Sequence, residues 1–379
     1  MAQLPKVVII HNVISPHVTP VFQELARLVD VTVIYCAERE DNRTWEEKPT
    51  GFRYEVLSGT AVKLRGKDLF TYFINPDILA TLRRLKPDVV IISGWDILSY
   101  QLACLYCSLM GIPYLIWSGS TMFEPSWRRT VSWPLVKLML AGAAGYIAYG
   151  TRAKEYLESF RVATSKITIA FNSTRTDYFH LPSKSDTQRS DLLKKKLGLH
   201  DRQVVLYYGQ LIERKGVDVL LKAYALLKKE YPTTALLIIG TGQEQINLQQ
   251  LQQQLAVTDV IYLPNPKDEQ MADYYFLSSI AVLPSREEVW GLVVNQALQC
   301  GVPMIVSDKV GSGPDLIVDG STGFVFESDN ESSLAQALQT FFTKSAKWLD
   351  MSEKAARHSM IAMPSQTALK IHQAIRKVV

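Results

Sequence analysis

Four cysteines are too few, and too scattered, to staple a chain of 379 residues together. Cys104-Leu-Tyr-Cys107 has a spacing seen in zinc sites, but neither a second pair nor a nearby histidine completes one. Cys36 and Cys300 stand alone. The four read as buried thiols in a reducing compartment. Long hydrophobic runs are lacking too. A membrane-spanning helix needs about 20 apolar residues, and the nearest candidate, Leu135 to Tyr149, is broken by Lys137 and several small residues. The early apolar run Val7-Val-Ile-Ile10 is too short and too soon interrupted for a signal peptide. Charge of one sign is nearly absent: 41 Lys and Arg against 37 Asp and Glu leave a net +4. That gives no reason to expect a nucleic-acid partner, and it is compatible with anionic small molecules or an anionic membrane face.

What is present is an alternation. Short β-branched runs at Val7–His11, Val31–Cys36, Asp88–Ile92, Pro113–Trp117 and Gly145–Tyr149 are separated by helical patterns such as Pro76–Leu85 and Leu98–Met110. A second series begins at Val204 and includes Ala235–Ile239, Val260–Leu263, Ile280–Leu283 and Val302–Ser307. Buried runs alternating with helices predict doubly wound parallel sheets, and the length suits two domains. In such sheets ligands lie at the carboxyl ends of the strands. The loop after the first strand, Asn12 to Pro20, lacks the G-x-G-x-x-G of a dinucleotide site, but it holds Ser15 and His17 at that edge. The glutamine-dense stretch from Gln243 to Gln254 keeps leucines at helical spacing and reads as a helix.

The most informative stretch runs from Pro284 to Leu298. Gly291 stands where strand hands over to helix, so the backbone from Val289 through Leu292 can meet an anion at a helix N-terminus. Glu288, Leu292 and Gln296 are four apart and lie in one row. A carboxylate and an amide then flank an anion site, which suits the hydroxyls and phosphates of a sugar nucleotide. A second junction precedes it. The strand from Val204 ends near Gly209-Gln210, and Arg214-Lys215-Gly216 precede the next helix. Two cations there would neutralise a diphosphate. Gly240-Thr-Gly242 closes the following strand.

The stretch Pro284-Ser-Arg-Glu-Glu-Val-Trp-Gly-Leu closely resembles the Glu-x7-Glu motif of the retaining glycosyltransferases of family 4, which have the GT-B fold. Glu288 matches the first acid, and Trp290-Gly291 the aromatic-glycine pair. Gln296 stands where the second acid is usual. Gly209-Gln-Leu-Ile-Glu-Arg-Lys-Gly216 resembles the family's Gly-Arg-Leu-x-x-x-Lys-Gly, with Gln210 in place of the arginine. Gly311-Ser-Gly-Pro-Asp315 is similar to its Gly-Gly-x-x-Glu. The resemblance implies two Rossmann-like domains facing a cleft: an acceptor-side domain over 1–179, a linker over 180–203, a nucleotide-sugar domain over 204–361, and a last helix over 362–379 crossing back to the first. The polar composition of His180 to Arg202 reads as linker plus a solvated helix.

It also implies roles. Glu288, Arg214 and Lys215 would be catalytic. Gly209, Gln210, Gly240, Gly242, Pro264, Asn265, Val289, Trp290, Gly291, Leu292 and Gln296 would hold the donor, a UDP- or GDP-sugar. Pro264 and Asn265 would lie near the base. Ser15, His17, Asp96, Ser118 and Ser120 would face the acceptor, a saccharide or a lipid-linked one. Neither a metal nor another cofactor is implied. The expected activity is retaining transfer to a hydroxyl in glycan, lipopolysaccharide or exopolysaccharide assembly. A sugar-nucleotide epimerase and a non-catalytic binding partner of another transferase remain alternatives. The expected location is the cytoplasm. Trp, Arg and aliphatic residues between Ser126 and Leu140 suit either a helix packed on its own sheet or peripheral contact with the inner face of a membrane.

Overall fold

The computed structural model describes residues 4–39, 48–64, 70–123, 127–343 and 348–379, with the backbone alone at 63–64, 70–71 and 127–132. The chain divides into two compact units: Met1–Arg175 with Ala362–Val379, and Thr176–Ile361.

The first unit holds strands β1 (Lys6–Val13), β2 (Asp30–Ala37), β3 (Arg53–Val56), β4 (Thr60–Leu64), β5 (Phe70–Ile74), β6 (Val89–Ile92), β7 (Tyr114–Ser118), β8 (Gly145–Ala148) and β9 (Ile167–Ile169). Seven of them form one sheet in the order β3-β2-β1-β6-β7-β8-β9, and every pairing in it is parallel. Strand alternation sends Val8 and Ile10 to one buried face, and Val7 and Ile9 to the other. Both faces are covered, so β1 reads as an unbroken apolar run. β4 and β5 pair antiparallel as a separate ribbon. β3 to β5 escape a sequence reading based on apolar runs. β3, for example, is a half-exposed edge strand carrying Arg53 and Glu55.

The final helix, Pro364–Arg376, belongs to this unit. Its Ala368, Ile371, Ala374 and Ile375 join the core under β1, together with Phe22 and Leu25 of the helix Thr19–Ala26. Thr367 Oγ1 donates to Phe171 O at 2.8 Å and fixes the start of the helix.

The second unit holds β10 (Gln203–Tyr208), β11 (Thr234–Ile239), β12 (Val260–Leu263), β13 (Ile280–Leu283), β14 (Met304–Ser307) and β15 (Gly323–Phe326). They form one parallel sheet in the order β12-β11-β10-β13-β14-β15. Strand order reverses between β10 and β13, and a crevice at their carboxyl ends is where such sheets take ligands. The glutamine-rich helix forms over Gln245–Gln254 and rests on buried Leu248.

One expected boundary moves. The stretch 180–203, expected as a linker with a solvated helix, groups with the second unit, and the helix is present. A helix occupies Lys184–Lys196, and Ser183 and Asp186 close a capping box at its start. Hydrogen bonds from Ser183 hold the Asp186 carboxyl below its ordinary range. Arg189 bridges Asp186 and Asp273 at 2.8 and 2.9 Å, tying this helix to Asp268–Phe276. The lysines at 194–196 sit in its last turn, where cations complement the helix dipole.

Among the described residues no helix is long and apolar enough to cross a membrane. Ser126 and the side chains of 127–132, part of the amphipathic stretch noted above, lie outside the described residues.

Ile371 is fully buried. Ile371→Ala should cost about 2–5 kcal/mol in the first unit. Denaturant titration followed by a first-unit probe checks this, and a loss below about 1 kcal/mol would mean that the last helix adds little to that core.

Candidate functional site

In the second unit β10 ends at Tyr208. The chain passes through Gly209 and exposed Gln210, then makes a single 3-10 turn over Glu213–Lys215. Gly216 ends that turn at φ +64 and opens the helix Val217–Glu230. A Cβ there would fall 2.1 Å from Pro284 O, so both the dihedral and the space demand glycine. Pro284 begins the loop after β13, and the two loops are joined directly. Arg286 N donates to Arg214 O at 2.8 Å, and Arg214 Nη1 to Glu287 O at 3.4 Å.

The second loop is pinned on its other side as well. Glu288 forms an isolated parallel bridge with Val310; Gly311 N donates to Glu288 O at 2.9 Å and Ser312 N to Trp290 O at 3.0 Å. Gly291, at φ +88, turns the chain into the helix Leu292–Gln299. That places Glu288 one turn before a helix N-terminus, whose partial positive charge suits an anion.

Between the loops Lys215 Nζ and the Glu288 carboxylate form an ion pair, their side chains only 13% and 14% exposed. Ser285 Oγ also donates to the carboxylate, at 3.5 Å. Behind them lies Tyr207, whose hydroxyl donates to Gln210 O at 2.8 Å. Burial, reinforced by Glu288, lifts the Tyr207 hydroxyl far above its ordinary range and keeps it protonated. A cation, a carboxylate and a helix N-terminus thus meet at the point of strand-order reversal. This arrangement can hold a polyanion beside a polyhydroxyl group.

The remaining donor-side residues fall into two groups. Gly209 N donates to Ile239 O at 3.0 Å, Leu211 N to Thr241 O at 2.9 Å and Gly240 N to Leu263 O at 2.9 Å. The turns bearing Gly209, Gly240 and Gly242 and the exposed Pro264–Asn265 turn therefore line up along the ends of β10, β11 and β12. Val289 and Leu292 flank the helix start and are half-buried. Trp290 and Gln296, by contrast, point inward. The Trp290 indole is buried and donates to Asn295 Oδ1 at 2.8 Å. Gln296 is 5% exposed and its Oε1 accepts from the Tyr275 hydroxyl at 3.2 Å. Sequence reasoning missed Tyr275 as the partner of Gln296, and Arg286 and Asp218 beside the cationic turn. Only Arg286 carried a signal, its place inside the Pro284–Leu298 stretch.

In the first unit the acceptor-side candidates also gather at carboxyl ends of strands. Ser15 follows β1 and its carbonyl accepts from Thr19 N and Oγ1 at 3.2 and 2.9 Å, starting the helix. His17 Nδ1 lies 3.4 Å from Thr174 Oγ1. Asp96 is exposed after β6. Burial, with Asp96 adding to it, pushes the Tyr149 hydroxyl up to about 12. Ser118 ends β7 buried, and its Oγ accepts from Ser120 N at 3.2 Å, so it shapes its own loop.

Two family models match the chain in succession: Glycosyltransferase Family 4 over residues 14–178 and Glycosyl transferases group 1 over residues 189–358. The chain belongs to glycosyltransferase family 4. Family 4 relatives include an uncharacterized glycosyltransferase of Haemophilus influenzae, 33% identical over 43% of this chain and 46% of its own length. The GDP-mannose-dependent alpha-(1-6)-phosphatidylinositol monomannoside mannosyltransferase of Mycolicibacterium smegmatis is 30% identical over 42% of this chain and 45% of its own length. The chain spans about half the length of the curated relatives it matches. Among solved structures, Anabaena HepE in complex with UDP superposes with a TM-score of 0.77 at 16% identity, covering 98% of this chain and 99% of that one. A glycosyltransferase from Rickettsia africae gives 0.74 at 16% identity, covering 100% and 98%. At this identity the likeness bears on the fold, which is GT-B.

In family 4 terms the first acid of the motif, Glu288, and the Lys-Gly of the preceding one, Lys215-Gly216, adjoin in space. Gly216→Ala should lower the melting temperature and displace Lys215, since Pro284 O must move. Thermal unfolding checks it. A stability unchanged within about 0.5 kcal/mol would show that the two loops are not packed as described.

Proposed function

We propose that this chain transfers a sugar from a nucleotide-sugar donor to an acceptor hydroxyl with retention of configuration, in glycan, lipopolysaccharide or exopolysaccharide assembly. The observation that carries the reading is the Lys215–Glu288 pair between the loops that follow β10 and β13. Lys215, Arg214 and the N-terminus of the helix Leu292–Gln299 face the donor diphosphate, where negative charge grows as the glycosidic bond breaks. These cations do the work that a metal would otherwise do, so the reading calls for no metal or other cofactor. Glu288 orients the sugar through its hydroxyls. The acceptor oxygen forms its bond to the anomeric carbon on the face the phosphate leaves, and its proton passes to the departing phosphate oxygen. Gly209, Gly240, Gly242, Pro264 and Asn265 line the nucleoside end, and Ser15, His17 and Asp96 are acceptor-side groups.

A UDP- or GDP-sugar fits a site built for a diphosphate. UDP bound to Anabaena HepE and the GDP-mannose dependence of the Mycolicibacterium smegmatis relative support that choice. Thermal-shift screening with UDP- and GDP-sugars, followed by product analysis with the best binder, tests the reading. Stabilisation by none of them would overturn it. Glu288→Ala should lower turnover by about 10²-fold, a larger loss than it causes in affinity for the bare nucleoside diphosphate. Lys215→Ala should weaken that affinity as well. Calorimetry and steady-state kinetics together separate the two roles, and identical profiles for both variants would sink the assignment.

The acceptor reading includes a lipid-linked saccharide and peripheral contact with an anionic membrane face. On the helix Leu98–Met110, Leu105, Leu109 (76% exposed) and Met110 face solvent; on Trp127–Gly142, Trp133 and Leu138 (69% exposed) do the same. Lys137 Nζ lies 4.9 Å from the Trp133 ring centre, so a cation and an amphipathic ring stand side by side. Vesicles containing phosphatidylserine should sediment the protein, less so at high salt. Leu109→Asp with Leu138→Asp should abolish this, and unchanged sedimentation of that double variant would remove this face from the proposal.

A further inference from the structure

We propose that Arg286 is a positioning residue for the donor diphosphate, holding the turn that bears Arg214 and Lys215 in register with the loop that bears Glu288. The role rests on the donor-site reading above. The sheet itself does not supply this register. Pairing between β10 and β13 covers Val205 with Ile280 and Leu206 with Ala281, both well short of the loops that carry the charged groups. Beyond those pairs the loop tips need ties of their own.

Arg286 supplies several at once. Its Nη1 and Nη2 fork onto Asp218 Oδ1 and Oδ2 at 2.9 and 2.7 Å. Nη1 also donates to Glu213 O at 2.6 Å, and Nε to Asp329 Oδ1 at 2.5 Å. Its backbone N–H donates to Arg214 O at 2.8 Å. The residue thus grips the cationic turn at two successive carbonyls and the first turn of the following helix at Asp218. Asp329 stands after β15 at φ +58, a left-handed conformation that aspartate enters with less strain than most residues. From there it fixes Nε and sets the plane of the guanidinium.

Four donated bonds consume most of the five N–H groups of the side chain. Arg286 is therefore not disposed to meet a ligand phosphate as Arg214 and Lys215 are; it acts through them. A lysine cannot replace it, because one ammonium cannot fork a carboxylate and reach a carbonyl in a second direction. A misplacement of about 1 Å can cost large factors in a preorganised site, so the effect belongs to the diphosphate end of the donor.

Binding of UDP, GDP, uridine and guanosine to the wild type, Arg286→Ala, Arg286→Lys and Asp218→Asn tests the proposal, with calorimetry for the diphosphates and ligand-observed NMR for the nucleosides. Arg286→Ala should lower affinity for the preferred diphosphate about tenfold or more and leave affinity for its nucleoside unchanged. Arg286→Lys should recover only part of the loss, and Asp218→Asn should shift the ratio in the same direction by less. Should Arg286→Ala fail to fold, Asp218→Asn carries the same comparison. A diphosphate-to-nucleoside ratio equal to that of the wild type, or an equal loss for both ligands with a fall in melting temperature, would overturn the positioning role alone. A wild type that prefers neither diphosphate over its nucleoside would remove the donor-site reading and this role with it.

Discussion

An ammonium and a carboxylate that meet with little access to water set the terms for the second unit. Removing one partner of a buried ion pair costs about 3–5 kcal/mol, because the other charge is stranded. Lys215 and Glu288 therefore have to be delivered together, although they lie on loops that leave different strands. The surrounding details serve that delivery. Gly216 lets the cationic turn lie against Pro284 O, and the bridge between Glu288 and Val310 holds the second loop from its far side. Ser307 Oγ donates to Ser285 O beneath it. Each tie is ordinary alone. Together they convert two loops into one surface without a strand pairing between them.

The sequence exposes those parts of the site in which the backbone dictates the residue. Gly216 and Gly291 need left-handed dihedrals, and Pro284 and Lys215 sit at fixed offsets from them, so the paired motifs stand out. The parallel sheets stand out for a related reason: strands buried on both faces become continuous apolar runs. Hidden from the sequence is whatever depends on distant partners. Asp218 and Asp329 lie far from Arg286 along the chain, and nothing local to either announces a shared guanidinium. The inward turn of Trp290 is equally hidden, since an aromatic residue in a binding motif looks the same whether it meets a ligand or Asn295. The helix at Lys184–Lys196 is legible from the sequence as a solvated helix, but its ties are not. It is held by a capping box and by Arg189 more than by an apolar face.

The two units share a sheet order that reverses beside the first strand, yet they place different chemistry there. The second unit offers cations and a helix N-terminus, which suit phosphate. The corresponding loops of the first offer Ser15, His17 and exposed Asp96, which suit hydroxyls and proton transfer. Ser118, though it ends a strand at the same edge, is buried against its own loop. Position at the carboxyl end of a strand thus does not by itself bring a side chain to the edge, since Ser118 ends β7 yet is turned into its own loop.

The amide at position 296 follows from the same electrostatics as the ion pair. Glu288 has the Lys215 ammonium directly against it. Gln296 is more deeply buried, and among the described residues its side chain has the Tyr275 hydroxyl as its hydrogen-bond partner. Burial lifts that hydroxyl well above its ordinary range, so it stays protonated and donates. A neutral acceptor satisfies it fully, whereas a carboxylate in the same place would be desolvated with one neutral donor for support. The amide oxygen accepts from Tyr275, so the inward-turned Gln296 ties the helix Leu292–Gln299 to the helix Asp268–Phe276. Where the resemblance leads to the expectation of an acid, a neutral amide therefore suits a position buried against a protonated hydroxyl.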